Sequence, residues 1–139
     1  MDWLEERIAT LRQENMNCSQ TMMQLSLELR GMDNPELIQS MFGLGGGLHC
    51  MHVCGTLTSG CCLLASYGEN GEAPTASRSI RAMINEYVQW FEGQYGSLIC
   101  KDLISGDRAN IPAFCPGLIK ENYLKCIEML EDSGINPEE

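Results

Sequence analysis

Apolar residues recur every three or four positions in several separate stretches of the 139-residue chain. The clearest stretches cover residues 4–11, 22–29, 80–91 and 118–130. This spacing is typical of amphipathic helices, whereas the alternation typical of strands is hard to find. The pattern therefore predicts an all-α protein.

Polar and helix-breaking residues between these stretches predict where the helices begin and end. Asn17, with a glutamine three residues later, is a candidate N-cap with a capping-box partner, so Cys18 is expected in the first turn of a helix. Pro35 is expected to begin a short helix through Met41, and Pro116 to begin the last helix.

A glycine-rich turn interrupts the chain about one third of the way along its length. Gly43–Gly47 is followed by residues 48–67, a run that is apolar on nearly every side and predicts a buried central helix. A further short helix is expected over residues 97–104, which include Cys100. We expect a compact bundle of about five or six helices, in one domain spanning residues 1–139.

Charge and composition narrow the class of partner. With 19 acidic and 9 basic side chains the net charge is -10, which disfavours nucleic acid and anionic membrane surfaces. No apolar run approaches the roughly 20 residues of a membrane span. The first residues are acidic and amphipathic, unlike an export signal, so a cytoplasmic location is expected.

The chain is rich in cysteine. In a reducing cytoplasm, cysteines are more often metal ligands, redox thiols or small buried residues than disulfide partners. There are eight, at positions 18, 50, 54, 61, 62, 100, 115 and 126.

Helix geometry separates some of these cysteines from the rest. On the predicted central helix Cys50, Cys54 and Cys61 share a face, but Cys61 lies about 10 Å beyond Cys54 along the axis. That separation is too long for one small site. Cys61, Cys62 and Cys126 are therefore predicted to be packing residues.

Local setting favours reactive or ligating roles for three others. Cys18 and Cys115 are each predicted at a helix N-terminus, where free backbone N–H groups favour a thiolate, the form that attacks disulfides and binds metals. Cys54 follows three consecutive glycines, which allow a second backbone or an inorganic cluster to approach closely.

Several segments carry a recognisable cysteine motif. They are Asn17-Cys18-Ser19-Gln20, Gly43-Leu44-Gly45-Gly46-Gly47, Cys54-Gly55-Thr56-Leu57-Thr58, Tyr95-Gly96 before Cys100, and Cys115 before the last helix. In this pattern the chain resembles the family of redox-active proteins named C_GCAxxG_C_C. The family's four signature cysteines fall on Cys18, Cys54, Cys100 and Cys115. The chain departs from the motif in having Thr56 for the usual Ala and Ser59 where a Gly falls.

The resemblance has implications for fold and cofactor. The family is similar to a portion of split-Soret cytochrome c, which implies a helical fold, dimerisation and an iron-sulfur site. Covalent haem does not carry over, because Cys50 and Cys54 are separated by three residues and no histidine follows the second thiol. His49 and His52 are expected to be surface or helix-packing residues rather than ligands.

The leading hypothesis is an electron-transfer protein that holds an iron-sulfur cluster through Cys18, Cys54, Cys100 and Cys115, with Cys50 as a substitute ligand. Its partner would be another redox protein. One alternative is a metal-free thiol-disulfide redox protein that uses the same four cysteines, although no Cys-x-x-Cys is present. Another is a structural zinc protein or a purely structural bundle, for which Cys50 and Cys54 would form the only zinc half-site.

Overall fold

The computed structural model describes residues 2–139 as a bundle of α-helices, which confirms the predicted all-α class. There are seven helices rather than five or six, and two of them have seven residues or fewer. This part of the chain contains no strand and only two isolated β-bridges. The helices are α1 (Trp3–Gln13), α2 (Cys18–Leu29), α3 (Pro35–Met41), α4 (Gly55–Ala65), α5 (Ile80–Tyr95), α6 (Cys100–Leu103) and α7 (Ile111–Asp132).

The predicted starts of α2 and α3 are confirmed. The side chain of Asn17 accepts a hydrogen bond from the backbone N–H of Gln20, and the Gln20 side chain accepts one from the Asn17 N–H, which completes the capping box. α3 begins at Pro35 and ends at Met41. Both starts depend on local contacts, which the sequence pattern captures.

α4 lies at the centre of the bundle and packs against α2, α5 and α7. Small residues on α4 permit this close packing. The buried Ser59 hydroxyl donates a hydrogen bond to the Ser19 carbonyl of α2 at 2.7 Å, and Gly60 leaves room for the Tyr87 side chain of α5. The prediction of a buried central helix is confirmed for these residues.

The predicted start of the central helix at Leu48 is wrong, because α4 begins only at Gly55. Leu48, His49 and Met51 have φ near +60°, a conformation that a right-handed helix excludes. Residues 52–54 then pair with residues 98–100, which are distant in sequence, through an antiparallel bridge between Val53 and Ile99. Two backbone groups of this stretch, the Cys54 N–H and the His52 carbonyl, therefore form hydrogen bonds with Leu98 and Cys100 instead of within a helix.

The predicted start of the last helix at Pro116 is also wrong. α7 begins five residues earlier, at Ile111, and carries Pro116 inside it. A proline there lacks the N–H that would bond the carbonyl four residues back, which removes one helical hydrogen bond. The helix nevertheless continues through this position, where Cys115 is buried and Phe114 packs partly buried against the core.

A buried polar network joins α5 to α7. The Tyr87 hydroxyl donates to Asn122 Oδ1 at 2.7 Å, and Asn122 Nδ2 donates to the Leu118 carbonyl at 2.8 Å and to the Tyr95 hydroxyl at 3.2 Å. Such a satisfied network fixes one packing of the two helices. Across residues 2–139, every helix is too short or too polar to span a membrane.

Candidate functional site

Four cysteines from four different parts of the fold line one cavity of about 300 Å³. Cys18 is the first residue of α2, Cys54 immediately precedes α4, Cys100 is the first residue of α6, and Cys115 lies in the second turn of α7. Each is at most 9% exposed. The structure thus brings together the four residues that the motif singles out, although they are spread over 98 positions of the sequence.

Cys54 and Cys100 are held next to each other by backbone pairing. The Cys54 N–H donates to the Leu98 carbonyl at 2.8 Å, and the Cys100 N–H donates to the His52 carbonyl at 2.6 Å. These bonds flank the bridge between Val53 and Ile99, so the two cysteines are diagonal neighbours on one face. Diagonal neighbours in ideal pairing lie about 7–8 Å apart, with their Cβ atoms somewhat closer. This is still longer than the Cβ separation of about 3.5–4.5 Å in a disulfide, so a disulfide requires backbone movement.

Two glycines permit the close approach of backbone to the cysteines. A Cβ at Gly55 would lie 2.9 Å from Cys18 Sγ and 2.6 Å from the Leu44 carbonyl oxygen. A Cβ at Gly47, where φ is +61°, would lie 2.8 Å from Cys100 Cβ. Any larger residue would therefore push a wall of the cavity outward.

The glycine-rich turn is anchored to the start of α2. The Asn17 side chain donates from Nδ2 to the Phe42 carbonyl at 3.0 Å, and a Cβ at Gly45 would collide with the Asn17 amide. The same asparagine is the N-cap of the helix that begins with Cys18. One residue thus fixes both the glycine turn and the first cysteine.

The backbone beside the cavity is strained. Leu48, His49 and Met51 adopt left-handed φ values of 60°, 60° and 59°. Each such residue costs on the order of 1–3 kcal/mol, and residues of this kind cluster at functional sites. The strain lies in the segment that leads into Cys54.

Burial makes three of the thiols hard to ionise. It raises the pKa of Cys54 from an ordinary 9.0 to about 11, although the backbone N–H groups of Leu57 and Thr56 oppose part of the shift. It raises the pKa of Cys115 to about 12 and also raises the pKa of Cys100. In all three, the negative charge of a nearby Cys18 thiolate adds to the effect of burial.

The predicted helix-start setting of Cys115 is therefore wrong. Because α7 begins at Ile111, Cys115 lies one turn inside the helix, where the free N–H groups of the first turn no longer face it. Cys54, which immediately precedes α4, occupies such a position instead, although its side chain makes no capping hydrogen bond of normal geometry.

Two arginines act on the site electrostatically. Arg12 of α1 lines the cavity and lowers the pKa of Cys115, against the larger effect of burial. Arg108 similarly lowers the pKa of Cys100. Within residues 2–139 neither arginine forms an ion pair, so both charges are available to the site.

The remaining cysteines lie outside the cavity lining. Cys50 is exposed, and its thiol donates weakly to the Gly47 carbonyl at 3.6 Å. Because the predicted helix does not form there, Cys50 does not share a helix face with Cys54 and Cys61. Cys126 is fully buried and Cys61 packs partly buried against the core, as predicted for packing residues. The same prediction is wrong for Cys62, which is exposed.

The two histidines differ in position. His49 lines the cavity. Its ring packs against Phe42 at a tilt of 34°, with centroids 4.7 Å apart, and Nε2 is 2.7 Å from the Phe42 carbonyl oxygen, at hydrogen-bond distance. His52 is exposed, in agreement with the predicted surface role. His49 is also exposed, so its place in the cavity wall is at the rim.

The chemistry of the donors suits a soft, sulfur-ligated group. All eight cysteines are free thiols, and thiolates prefer iron-sulfur clusters, zinc and copper(I). In the part of the chain from residue 2 onward, no group of three or more His, Cys, Asp or Glu side chains is arranged to hold a single metal ion. One buried hydroxyl in the cavity wall, that of Thr56, has no hydrogen-bond partner.

Fold and site together define an all-α protein with a cavity lined by four buried cysteines. The chain belongs to the family described as "Putative redox-active protein (C_GCAxxG_C_C)", whose model matches residues 16–132, a span that contains all four of these cysteines. No curated protein and no solved structure matches the chain. The likeness to a portion of split-Soret cytochrome c stays a prediction.

Three residues that line the cavity were not predicted from the sequence to be site residues. Arg12 lies on the preceding helix, α1, five residues before Asn17 and outside every motif segment. The significance of Thr56 depends on its lack of a partner, which only the packing reveals. The position of His49 just after the glycine turn was a signal that it could lie at the site. Because the sequence predicted a helix there, the contact between the His49 ring and Phe42 was not expected.

Proposed function

We propose that this chain is a small redox protein that holds an iron-sulfur cluster through Cys18, Cys54, Cys100 and Cys115 and transfers electrons with it. The observation that carries the proposal is that these four buried thiols line a single cavity in a member of a redox-active family. Four thiolates are the ligand set of both [2Fe-2S] and [4Fe-4S] clusters. Cys50, whose thiol lies 3.6 Å from the carbonyl oxygen of the lining residue Gly47, is a substitute ligand in this proposal.

The size and walls of the cavity favour a cluster over a single ion. A structural zinc needs four ligands about 2.0–2.3 Å from one centre, and no donor group in residues 2–139 has such an arrangement. The cavity of about 300 Å³ leaves the thiols spread around an open space. Gly47 and Gly55 bring backbone close to two of them, which shapes the cavity without side chains.

When bound, the cluster would supply reversible one-electron transfer. The four cysteines would bind as thiolates, so each must release its proton when the group enters. Because burial raises the pKa of Cys54, Cys100 and Cys115, this release is unfavourable in the empty cavity and makes loading dependent on pH. Arg12 would offset part of the accumulated negative charge.

Metal-free thiol-disulfide chemistry is the second candidate. The absence of any donor group arranged for a metal ion in residues 2–139 favours it. The raised pKa of Cys54 and Cys115 opposes it, because a neutral thiol is a poor nucleophile. The diagonal placement of Cys54 and Cys100 also calls for backbone movement before a disulfide can form.

The test is the visible absorption spectrum, with iron and acid-labile sulfide content, of protein purified without air. The proposal predicts a coloured protein containing both iron and sulfide, with the four site thiols protected from alkylation. A colourless, iron-free protein whose four thiols alkylate freely would refute the cluster. If reversible oxidation then consumed those thiols in pairs, the dithiol function would take its place.

The partners belong to the same proposal. The electron donor and acceptor are proposed to be other redox proteins, and the chain itself is proposed to form a homodimer. Light scattering of the loaded and metal-free protein measures the mass directly. A monomer of 15.4 kDa in both states would refute the dimer.

A further inference from the structure

The hydroxyl group of Thr56 is buried and has no hydrogen-bond partner. Thr56 is the second residue of α4, its side chain is 0% exposed, and its Oγ1 neither donates nor accepts. Buried polar groups nearly always find a partner, and an unpaired one destabilises the fold. Among residues 2–139, one other buried side-chain oxygen, that of Ser26, is unpaired in this way.

The position of Thr56 connects this hydroxyl with the thiol cavity. Thr56 is part of the cavity lining, and its backbone N–H is close enough to the Cys54 sulfur to lower the pKa of that thiol. Ser26 is not part of the lining and lies eight residues beyond Cys18 on α2. Thr56, which carries one of the two unpaired hydroxyls, therefore borders the site, whereas Ser26 does not.

We infer that the Thr56 hydroxyl donates a hydrogen bond to a sulfur atom of the group held by the four cysteines and raises its reduction potential. This inference rests on the proposed function. If the bound group were reduced, it would gain one electron from its donor, and the added charge would fall partly on its sulfur atoms. A hydrogen bond to sulfur grows stronger as that charge increases, so it stabilises the reduced form. The proton stays on Thr56 throughout.

The residue would act through the bound group's electronics and would not ligate it. Hydrogen bonds to the sulfurs are one of the means by which proteins tune iron-sulfur potentials. In the metal-free protein the same hydroxyl has nothing to bond and only destabilises. The effect of removing it should therefore change sign between the two states, which a purely structural role cannot reproduce.

Three variants of the full chain separate these possibilities. Thr56→Val removes the hydroxyl and keeps the shape, Thr56→Ser keeps the hydroxyl, and Ser26→Ala removes the unpaired hydroxyl outside the cavity. The measurements are iron content, midpoint potential by redox titration, and melting temperature with and without iron. The titration reports on the bound group, and melting of the metal-free protein needs no activity.

Thr56→Val should bind as much iron as the wild type, show a lower midpoint potential, and melt at a higher temperature than the wild type only when metal-free. Thr56→Ser should restore the potential, and Ser26→Ala should leave it unchanged. A loaded Thr56→Val protein with the wild-type potential would overturn this inference alone. A wild type that binds no iron would overturn the proposed function and this inference with it.

Discussion

Substitution of Gly55 by alanine tests whether close backbone contact shapes the thiol cavity. The new Cβ would lie 2.6 Å from the Leu44 carbonyl oxygen and 2.9 Å from Cys18 Sγ. Both distances are shorter than real Cβ contacts, and the nearest atom belongs to the backbone, so the glycine turn must move. We expect Cys18 and the turn to separate and the bound iron to be lost more readily.

The magnitude follows from two opposing terms. Alanine gains up to about 1 kcal/mol over glycine from helix propensity. Overpacking typically costs about 1–3 kcal/mol. Gly93 of α5 provides the matched control, because a Cβ there would meet nothing within 4 Å. Gly93→Ala should therefore gain up to about 1 kcal/mol, and Gly55→Ala should be about 1–3 kcal/mol less stable than Gly93→Ala.

Urea denaturation of the metal-free variants measures this difference, provided that the slope with denaturant is the same for both. Iron retention by the loaded variants reports on the cavity. If Gly55→Ala were as stable as Gly93→Ala and retained iron like the wild type, the close approach at Gly55 would have no structural role. That result would refute the reasoning.

Two further predictions concern buried groups. Tyr87→Phe leaves Asn122 Oδ1 without its 2.7 Å donor and should cost about 1–3 kcal/mol in urea denaturation; an unchanged midpoint would show that the network contributes nothing. In the folded protein the pKa is about 11 for Cys54 and about 12 for Cys115, against an ordinary value of 9.0. As the pH rises, these two thiols therefore lose their protons at a lower pH in the unfolded chain than in the folded protein. Stability of the metal-free protein should therefore be fully present below pH 9 and fall as pH rises through 11 to 12, by up to about 1.4 kcal/mol per pH unit for each thiol. Equal stability at pH 8.5 and pH 11 would contradict the shifts.

Local signals in the sequence were sufficient for several elements of the fold. The capping box of Asn17 and Gln20 and the proline at position 35 act over three or four residues, so their helices begin where predicted. Hydrophobic spacing likewise predicted the buried faces of α1 and α5. These features need no knowledge of distant contacts.

The errors came from contacts between residues far apart in the chain. The pairing of Val53 with Ile99 makes the start of the apolar run 48–67 extended instead of helical. No local sequence pattern predicts this pairing. Pro116 was predicted to begin a helix because proline suits the first turn of a helix, and the local sequence does not show that the helix continues through it. The candidate site depends on the same distant contacts. Helix geometry and local setting separated Cys18, Cys54 and Cys115 from the packing cysteines, but only the motif resemblance added Cys100 and grouped the four.

Iron and sulfide content of single serine variants, purified without air, tests the central claim most directly. The account predicts that serine at position 18, 54, 100 or 115 lowers both contents below the wild-type value. Cys62→Ser, which alters an exposed thiol outside the cavity, should keep the wild-type content. Iron that persists in all four site variants, or that is lost equally in Cys62→Ser, would contradict the account.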